Sequence, residues 1–146
     1  MKTFKSFITE AAKSPTWYKG LWRAQKGIFY RGENPSTRRS GAGLGALGTG
    51  IYLTWEEGMA NAYARLSNKG VVVKFKVPQN LKIADAQGKD MATAKKKMGI
   101  DGYSADPMYA KALTFELKNL GYDGVISDKS VEGLVIFDPK KVKKVK

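Results

Sequence analysis

The residues best suited to chemistry lie in the stretch 29–64, where two apolar segments flank a charged, glycine-rich region. Arg31 follows the apolar pair Phe29–Tyr30 and precedes Gly32, which leaves its guanidinium free to swing into a cleft. Glycine recurs at positions 41, 43, 45, 48 and 50. Such a backbone can adopt positive φ and approach a ligand closely, and its bare amides can bind phosphate. We therefore interpret this stretch as the active cleft; the alternatives are a flexible linker and a surface arginine.

The segment Gly50–Thr54 reads GIYLT and predicts a short strand. Alternation along a strand places Tyr52 and Thr54 on one face and Ile51 and Leu53 on the other. Tyr52 is then either a ring that faces a ligand or a half-buried strand residue.

Thr54 and Glu57 fit the T-x-x-E pattern of a capping box, which predicts a helix that starts at Trp55. The N-terminus of this helix would lie beside the same cleft. As a plain helix cap, Thr54 needs no further function.

The composition restricts the chemistry. The 146 residues contain no cysteine and no histidine, which excludes disulfides, thiolate nucleophiles, imidazole bases and the usual zinc sites. Any catalysis must use carboxylates, Lys, Arg or hydroxyl groups. With 26 basic and 13 acidic residues the net charge is +13, which favours nucleic acid or another polyanion as a partner. No apolar run reaches membrane-spanning length, so we expect no membrane partner.

Helix and strand patterns are mixed along the rest of the chain, which predicts one α+β domain with small, mainly antiparallel sheets. A helix over 17–24 should turn Trp17, Leu21 and Ala24 to the core. The segment 71–77 reads as a strand, and Asp106–Pro107 opens a helix whose buried stripe is Tyr109, Ala110, Leu113, Leu117 and Leu120. The last eight residues, PKKVKKVK, predict a solvated basic tail.

The order of the motifs resembles the ADP-ribosyltransferase-like fold. An aromatic-Tyr-Arg-Gly strand end, a glycine-rich gap and G-x-G-I-Y-L-T lead into a helix with A-x-x-Y-A. Near the C-terminus, VEGLVIFDP at 131–139 looks like that superfamily's last strand, in which a catalytic Glu precedes an apolar run. The likeness covers residues 28–142 in two blocks. It implies two small sheets with NAD, the substrate, bound between them.

The resemblance also implies roles for particular residues. Arg31 would hold a phosphate of NAD and brace the ribose. Glu132 would accept a hydrogen bond from the ribose 2′-hydroxyl and stabilise the oxocarbenium-like transition state. These two are the implied catalytic residues, and the reaction needs no metal.

Five further positions complete the implied NAD site. Gly32 and the amides around Gly50 would contact the nicotinamide amide, and Tyr52 would stack on its ring. Thr54 matches the residue that steadies the catalytic Glu, and Tyr63 belongs to the A-x-x-Y-A segment.

One departure concerns the acceptor. Arginine-modifying members carry Gln or Glu two residues before the catalytic Glu, where this chain has Ser130. The resemblance therefore leaves open another side chain, a nucleic acid or water.

The N-terminal residues 1–14 place apolar side chains at helical spacing and predict a short amphipathic helix. The pattern M-K-T-F-x-x-F-I-x-E-A resembles the capsid-targeting leader of internal head proteins in T-even-type bacteriophages. The prohead protease cuts such leaders after an Ile/Leu-x-Glu triplet, which Ile8-Thr9-Glu10 matches. The resemblance implies a leader over 1–10 and a mature domain over 11–146. It also implies a place in the phage head beside packaged DNA, and later in the host cytoplasm.

Three functions agree with these observations. The first is a packaged ADP-ribosyltransferase that modifies a host protein or nucleic acid. The second is a non-catalytic internal head protein of the same fold that binds and inhibits a host defence factor. The third is a DNA-condensing head component, for which a folded cleft is superfluous. The sequence favours the first.

Overall fold

The computed structural model describes residues 12–33, 43–45, 47–65, 70–99, 107–129 and 133–145. The helices in these ranges are α1 (Thr16–Ala24), α2 (Glu57–Ala64), α3 (Lys89–Met98) and α4 (Pro107–Asn119), with a 3-10 turn at Pro139–Lys141. The strands there are β1 (Ile28–Glu33), β2 (Gly43–Gly45), β3 (Gly48–Leu53), β4 (Val71–Lys76), β5 (Ile83–Asp85), β6 (Gly124–Ile126), β7 (Leu134–Ile136) and β8 (Lys143–Val145). The predicted α+β class is confirmed.

The strands of the described ranges form two sheets. One has three strands in the order β1–β4–β8, and the other has five in the order β2–β3–β7–β6–β5. Neighbouring strands are antiparallel except for β5 and β6, which are parallel. The prediction of small, mainly antiparallel sheets is therefore also confirmed.

An apolar core joins the two sheets. Strand alternation brings Phe29 and Phe75, which are paired across β1 and β4, into this core from the three-stranded sheet. The five-stranded sheet contributes branched aliphatic side chains that are almost fully buried: Ile51, Leu53, Ile83, Ile126, Leu134 and Ile136. Each such side chain stabilises the fold by roughly 1.5–3 kcal/mol relative to leaving it exposed. We call this cluster the inter-sheet core.

The opposite face of the five-stranded sheet packs against α3 and α4. Tyr52, Val125 and Val135 point to this side and form a second cluster with helix residues such as Met91 and Leu113. The predicted stripe of α4 is buried at Tyr109, Ala110, Leu113 and Leu117, and Leu120 is half-buried. Its predicted cap, Asp106, lies outside the described residues.

The inner face of helix α1 matches the predicted one at Leu21, which packs against the inter-sheet core, but not at Trp17 or at the exposed Ala24. Trp17 is 39% exposed, and its indole Nε1 donates to Asp85 Oδ2 at 3.1 Å. Tyr18 is buried instead, and Trp22 packs against the inter-sheet core while its Nε1 donates to Val77 O at 2.8 Å. The helix carries aromatic residues on two neighbouring faces, and the indole N–H partners decide which one turns inward.

The basic C-terminal residues form a strand rather than a solvated tail. Strand β8 pairs antiparallel with β4, with Phe75 opposite Lys144 and Lys76 opposite Lys143. It is an outer strand of the three-stranded sheet, and its three residues are exposed. The backbone pairing with β4 compensates for the low apolar content that led us to expect no strand here.

Candidate functional site

Arg31 lies on the face of β1 that is directed at the inter-sheet core. It is paired with Val73, which packs against that core, and it stands two residues from the fully buried Phe29. Its side chain is 13% exposed. A guanidinium in this position must be compensated by hydrogen bonds or by an anion, because burying an unpaired charge is costly.

The described residues satisfy this guanidinium only in part. Nη1 donates to the carbonyl oxygen of Tyr52 at 3.3 Å. Nε forms an ion pair with Glu33 Oε2 at 3.5 Å. The Nε atom is nevertheless buried and makes no hydrogen bond to any described residue. Arginine offers five N–H donors, so this group has donor capacity left for a ligand.

The carbonyl that Arg31 contacts lies on the side of β3 that faces away from β7. Ser127 N donates to Gly133 O, which shows that residue 133 turns its backbone groups to β6. Because these groups alternate along an antiparallel strand, residue 135 also faces β6, whereas residues 134 and 136 face β3. Leu53 and Ile51 are therefore the hydrogen-bonded partners on β3, and Tyr52 O points away from β7. On this side of β3, β2 pairs with residues 48–50, and the Arg31 side chain reaches the backbone of Tyr52 further along the strand.

The charge around Arg31 is positive on balance. Glu33 lies between two cations, since its Oε1 is 3.8 Å from Lys144 Nζ and its Oε2 faces Arg31. Lys144 reaches this place from β8, which is why a reading of the C-terminus as a tail missed it. The pair of cations around one carboxylate favours an additional anion.

Thr54 connects the two sheets through its backbone. Tyr30 N donates to Thr54 O at 2.7 Å, and Thr54 N donates to Tyr30 O at 2.8 Å. The Thr54 hydroxyl accepts from Glu56 N at 3.2 Å, and helix α2 begins at Glu57 instead of the predicted Trp55. The hydroxyl closes a two-residue turn before the helix, so the predicted capping box is displaced. Thr54 and Arg31 thus lie in adjoining parts of the β1–β3 junction.

The ring of Tyr52, which the resemblance would stack on nicotinamide, is buried like a strand residue of the core, the second of the two roles left open by the sequence. The alternation itself is confirmed, because Ile51 and Leu53 enter the inter-sheet core and Tyr52 points the other way. Tyr52 is 7% exposed, and its hydroxyl donates to Gly48 O at 2.6 Å. Its ring packs with residues of α3 and α4, and only its backbone carbonyl meets Arg31. The cause is that both faces of the five-stranded sheet are covered, so the side opposite Ile51 is a core as well.

Gly50 has a structural reason to be glycine. Its φ is +145°, and a Cβ there would lie 2.1 Å from the carbonyl oxygen of Ile136. The absence of a side chain therefore permits the close pairing of β3 with β7. Gly32 lies near the end of β1, opposite Val72, and its partly exposed backbone adjoins Arg31.

Gly133 marks the start of β7, directly after Glu132 in the sequence. Its φ is +73°, and a Cβ would come 2.4 Å from Cζ3 of Trp55. Trp55 packs against the inter-sheet core, so the chain can pass its indole at position 133 only with a residue that lacks a side chain. Glu132 itself lies outside the described residues, as do Ser130, Gly41 and the leader over 1–10. The same is true of the side chain of Tyr63, although its backbone belongs to α2.

The structure therefore brings together Arg31, Gly32, the Tyr52 backbone and Thr54, and it separates the Tyr52 ring from them. Sequence reasoning missed Glu33 and Lys144 as neighbours of Arg31, and Trp55 as a neighbour of Gly133. Glu33 is two residues from Arg31 and shares its strand face, a signal that was present in the sequence. Within the described ranges, no three acidic side chains gather as a metal site requires.

Comparisons with protein-family models, curated proteins and solved structures found no match to this chain. None of the helices within the described ranges combines the length and hydropathy needed to span a bilayer.

Proposed function

We propose that this chain is an NAD-dependent ADP-ribosyltransferase with an ADP-ribosyltransferase-like fold. The observation that carries the proposal is the buried Nε of Arg31, which makes no hydrogen bond among the described residues although it lies on the inner face of the three-stranded sheet. A second observation supports it, namely the positive surroundings that Lys144 adds at the same place. A guanidinium with spare donors between two small sheets suits the pyrophosphate of a dinucleotide.

The proposed reaction breaks the bond between ribose C1′ and the nicotinamide nitrogen. Nicotinamide leaves as a neutral molecule with the bonding electron pair, and positive charge develops on the ribose. The acceptor then forms a bond to C1′ and loses its proton. Arg31 holds a phosphate, and Glu132 provides the negative charge that stabilises the developing cation. No step requires a metal.

The remaining assignments stay as predictions. Gly32, Gly50, Thr54 and Tyr63 contact NAD or steady Glu132, as the resemblance implies. For Tyr52 the buried ring makes stacking on nicotinamide the weakest of these assignments, so we propose that it acts through its backbone. Since Ser130 replaces the acidic or amide residue of arginine-modifying members, the acceptor is a host protein side chain other than arginine, a nucleic acid or water.

The place of action follows from the leader resemblance and the charge. We propose that the prohead protease removes residues 1–10 and that the protein is packaged with phage DNA inside the head. The full chain has a net charge of +13, and loss of Lys2, Lys5 and Glu10 with residues 1–10 leaves +13 − 2 + 1 = +12, which favours contact with that DNA. After ejection the protein acts in the host cytoplasm.

A non-catalytic function is the second candidate, and particular contacts favour it. The Tyr52 hydroxyl is hydrogen-bonded to Gly48 O, and Arg31 is bonded to Tyr52 O. Both groups thus have structural partners without any ligand. In this case the same fold binds and inhibits a host defence factor.

Labelled NAD distinguishes the two. Protein spanning 11–146 is incubated with NAD that carries label in the adenylate half, alone and with host lysate. The enzyme releases free nicotinamide, and it transfers label to a lysate component if the acceptor is not water. A cooperative unfolding transition would show that the protein is folded. If such protein leaves NAD unchanged under both conditions, the transferase function is refuted and the inhibitor function replaces it.

A further inference from the structure

A cavity of ≈ 270 Å³ lies between α1 and the segment that follows β4. Its cationic lining residues are Lys19, Arg23 and Lys82, and its aromatic walls are Tyr18 and Trp22. None of these residues belongs to the candidate NAD site. The cavity therefore needs an explanation of its own.

The three cations have no counter-ion in the described part of the chain. No described carboxylate lies within ion-pair distance of their side chains, and the nearby carboxylates of Asp85 and Asp123 have other partners. Asp85 accepts from Trp17 Nε1, and Asp123 is 2.7 Å from Lys141 Nζ and accepts from the backbone N of Lys82. Three like charges around one concave surface focus a positive potential there.

The frame of the cavity is fixed at both ends of α1. Ser14 Oγ accepts from Ile83 N at 2.9 Å, just before the helix begins. Trp22 Nε1 donates to Val77 O at 2.8 Å, and Lys76 Nζ lies 5.2 Å from the centre of the Trp22 ring. These contacts connect α1 to the chain on either side of the 78–82 segment. The cavity is thus a built feature rather than a gap between loose elements.

Two lining groups keep unused hydrogen-bonding capacity. Arg23 donates from Nε to Lys19 O at 3.4 Å, so both of its Nη groups are without a hydrogen bond to a described residue. The hydroxyl of Tyr18 is buried with no hydrogen-bond partner among the described residues. An unsatisfied buried hydroxyl costs about 1–3 kcal/mol, which an acceptor in the adjoining cavity would reduce.

We propose that this cavity binds a phosphate monoester. The phosphate lies between Lys19, Arg23 and Lys82, and the attached sugar or base lies against Trp22. At ≈ 270 Å³ the cavity is near the lower limit of about 300 Å³ for small-molecule sites, so it suits one nucleotide unit and not a dinucleotide. A free nucleoside monophosphate and the 5′-phosphorylated end of a nucleic acid strand share this chemistry. The inference does not depend on the proposed transferase activity.

Calorimetric titration of the full chain tests the site. The probes are inorganic phosphate, AMP, a short oligothymidylate with a 5′-phosphate and the same oligonucleotide with a 5′-hydroxyl. Arg23→Gln and Lys82→Gln should each weaken AMP binding by about tenfold or more, since each removes a charge-assisted contact. Lys118→Gln, which removes an equal charge from the exposed side of α4, should leave it unchanged.

The outcomes separate the sources. Binding of AMP with no preference for the 5′-phosphorylated oligonucleotide identifies a free nucleotide as the ligand. Tighter binding of the 5′-phosphorylated oligonucleotide than of its 5′-hydroxyl form identifies a strand end as the ligand. The proposal is overturned if no probe binds, or if Lys118→Gln weakens binding as much as Arg23→Gln does. If Arg23→Gln does not fold, as judged by circular dichroism, the exposed Lys82→Gln decides.

Discussion

The guanidinium of Arg31 donates to the carbonyl oxygen of Tyr52 at 3.3 Å and thereby joins the inner face of the three-stranded sheet to strand β3 of the other sheet. One residue thus holds two elements together and still presents unused donors. A structural function and a ligand-binding function make different predictions for the same substitution.

Arg31→Lys tests these two functions. Lysine keeps the positive charge but loses the planar fork that can hold a phosphate and the Tyr52 carbonyl at once. We expect kcat/KM for NAD to fall by at least about tenfold, while the free energy of unfolding changes by about 1 kcal/mol, the value of one hydrogen bond. Steady-state kinetics and urea unfolding measure the two effects. A large loss of stability with unchanged kcat/KM would make Arg31 a purely structural residue.

Glu132→Gln should abolish NAD turnover. The amide keeps the size of the side chain but removes the charge that would stabilise the ribosyl cation, and losses of about 100-fold or more are typical for such groups. Nicotinamide release is the measurement. Glu116→Gln on α4 is the matched control, with wild-type turnover expected. Retained turnover in the Glu132 variant would refute the catalytic assignment.

Gly50→Ala should destabilise the fold. A Cβ at this residue would lie 2.1 Å from Ile136 O at a φ of +145°, so β3 and β7 must separate. Strain and lost pairing together should cost roughly 2–4 kcal/mol. Gly58→Ala in α2 is the control, because nothing lies within 4 Å of the added carbon. Urea unfolding should show the control unchanged or more stable by up to about 1 kcal/mol; equal stability of the two variants would contradict the close pairing.

The raised pKa of Tyr122 predicts that the protein loses stability at alkaline pH. Burial, followed by its hydrogen bond to Asp90, raises the pKa of Tyr122 to about 12 from its ordinary value of 10.0. Between these values the unfolded chain has released the phenolic proton and the folded chain still holds it. The free energy of unfolding therefore falls as the pH rises from 10 to 12.

Tyr122→Phe isolates this contribution. The variant lacks the hydrogen bond to Asp90 and should be less stable at pH 7 by about 1–2 kcal/mol. Its stability should also fall less steeply than that of the wild type above pH 10. Urea unfolding at pH 7, 9 and 11 gives both quantities. Parallel curves for the two proteins would show that Tyr122 titrates normally in the folded state.

The sequence predicted those elements whose pattern is local. The buried stripe of α4 and the strand over 71–77 follow from the local residue pattern alone. The predictions that failed concerned residues whose positions depend on contacts with distant parts of the chain. Trp17 and Tyr18 are neighbours in the chain, and Asp85, 68 residues from Trp17, is what holds the indole at the surface. Lys143–Val145 becomes a strand because β4 offers an unpaired edge.

Predictions about the candidate site divide in the same way between local patterns and long-range contacts. Arg31 and Thr54 were found from their motifs, and the structure places them in one junction. The alternation placed Tyr52 correctly on the side opposite Ile51 and Leu53. That this side is also buried could not be predicted, because the helices that cover it come from distant parts of the chain. Lys144, in contrast, reached Glu33 and Arg31 only through the pairing of β1, β4 and β8.

Strand β8 has a consequence for how the protein behaves when crowded. An outer strand offers unpaired N–H and C=O groups to which a strand of another molecule can add, and such addition leads to polymers. Lys143 and Lys144 project from opposite faces of β8, so any added strand would have to bring its own side chains beside an exposed ammonium group on either face. The lysines at this edge thus oppose self-association and favour separate molecules at high concentration.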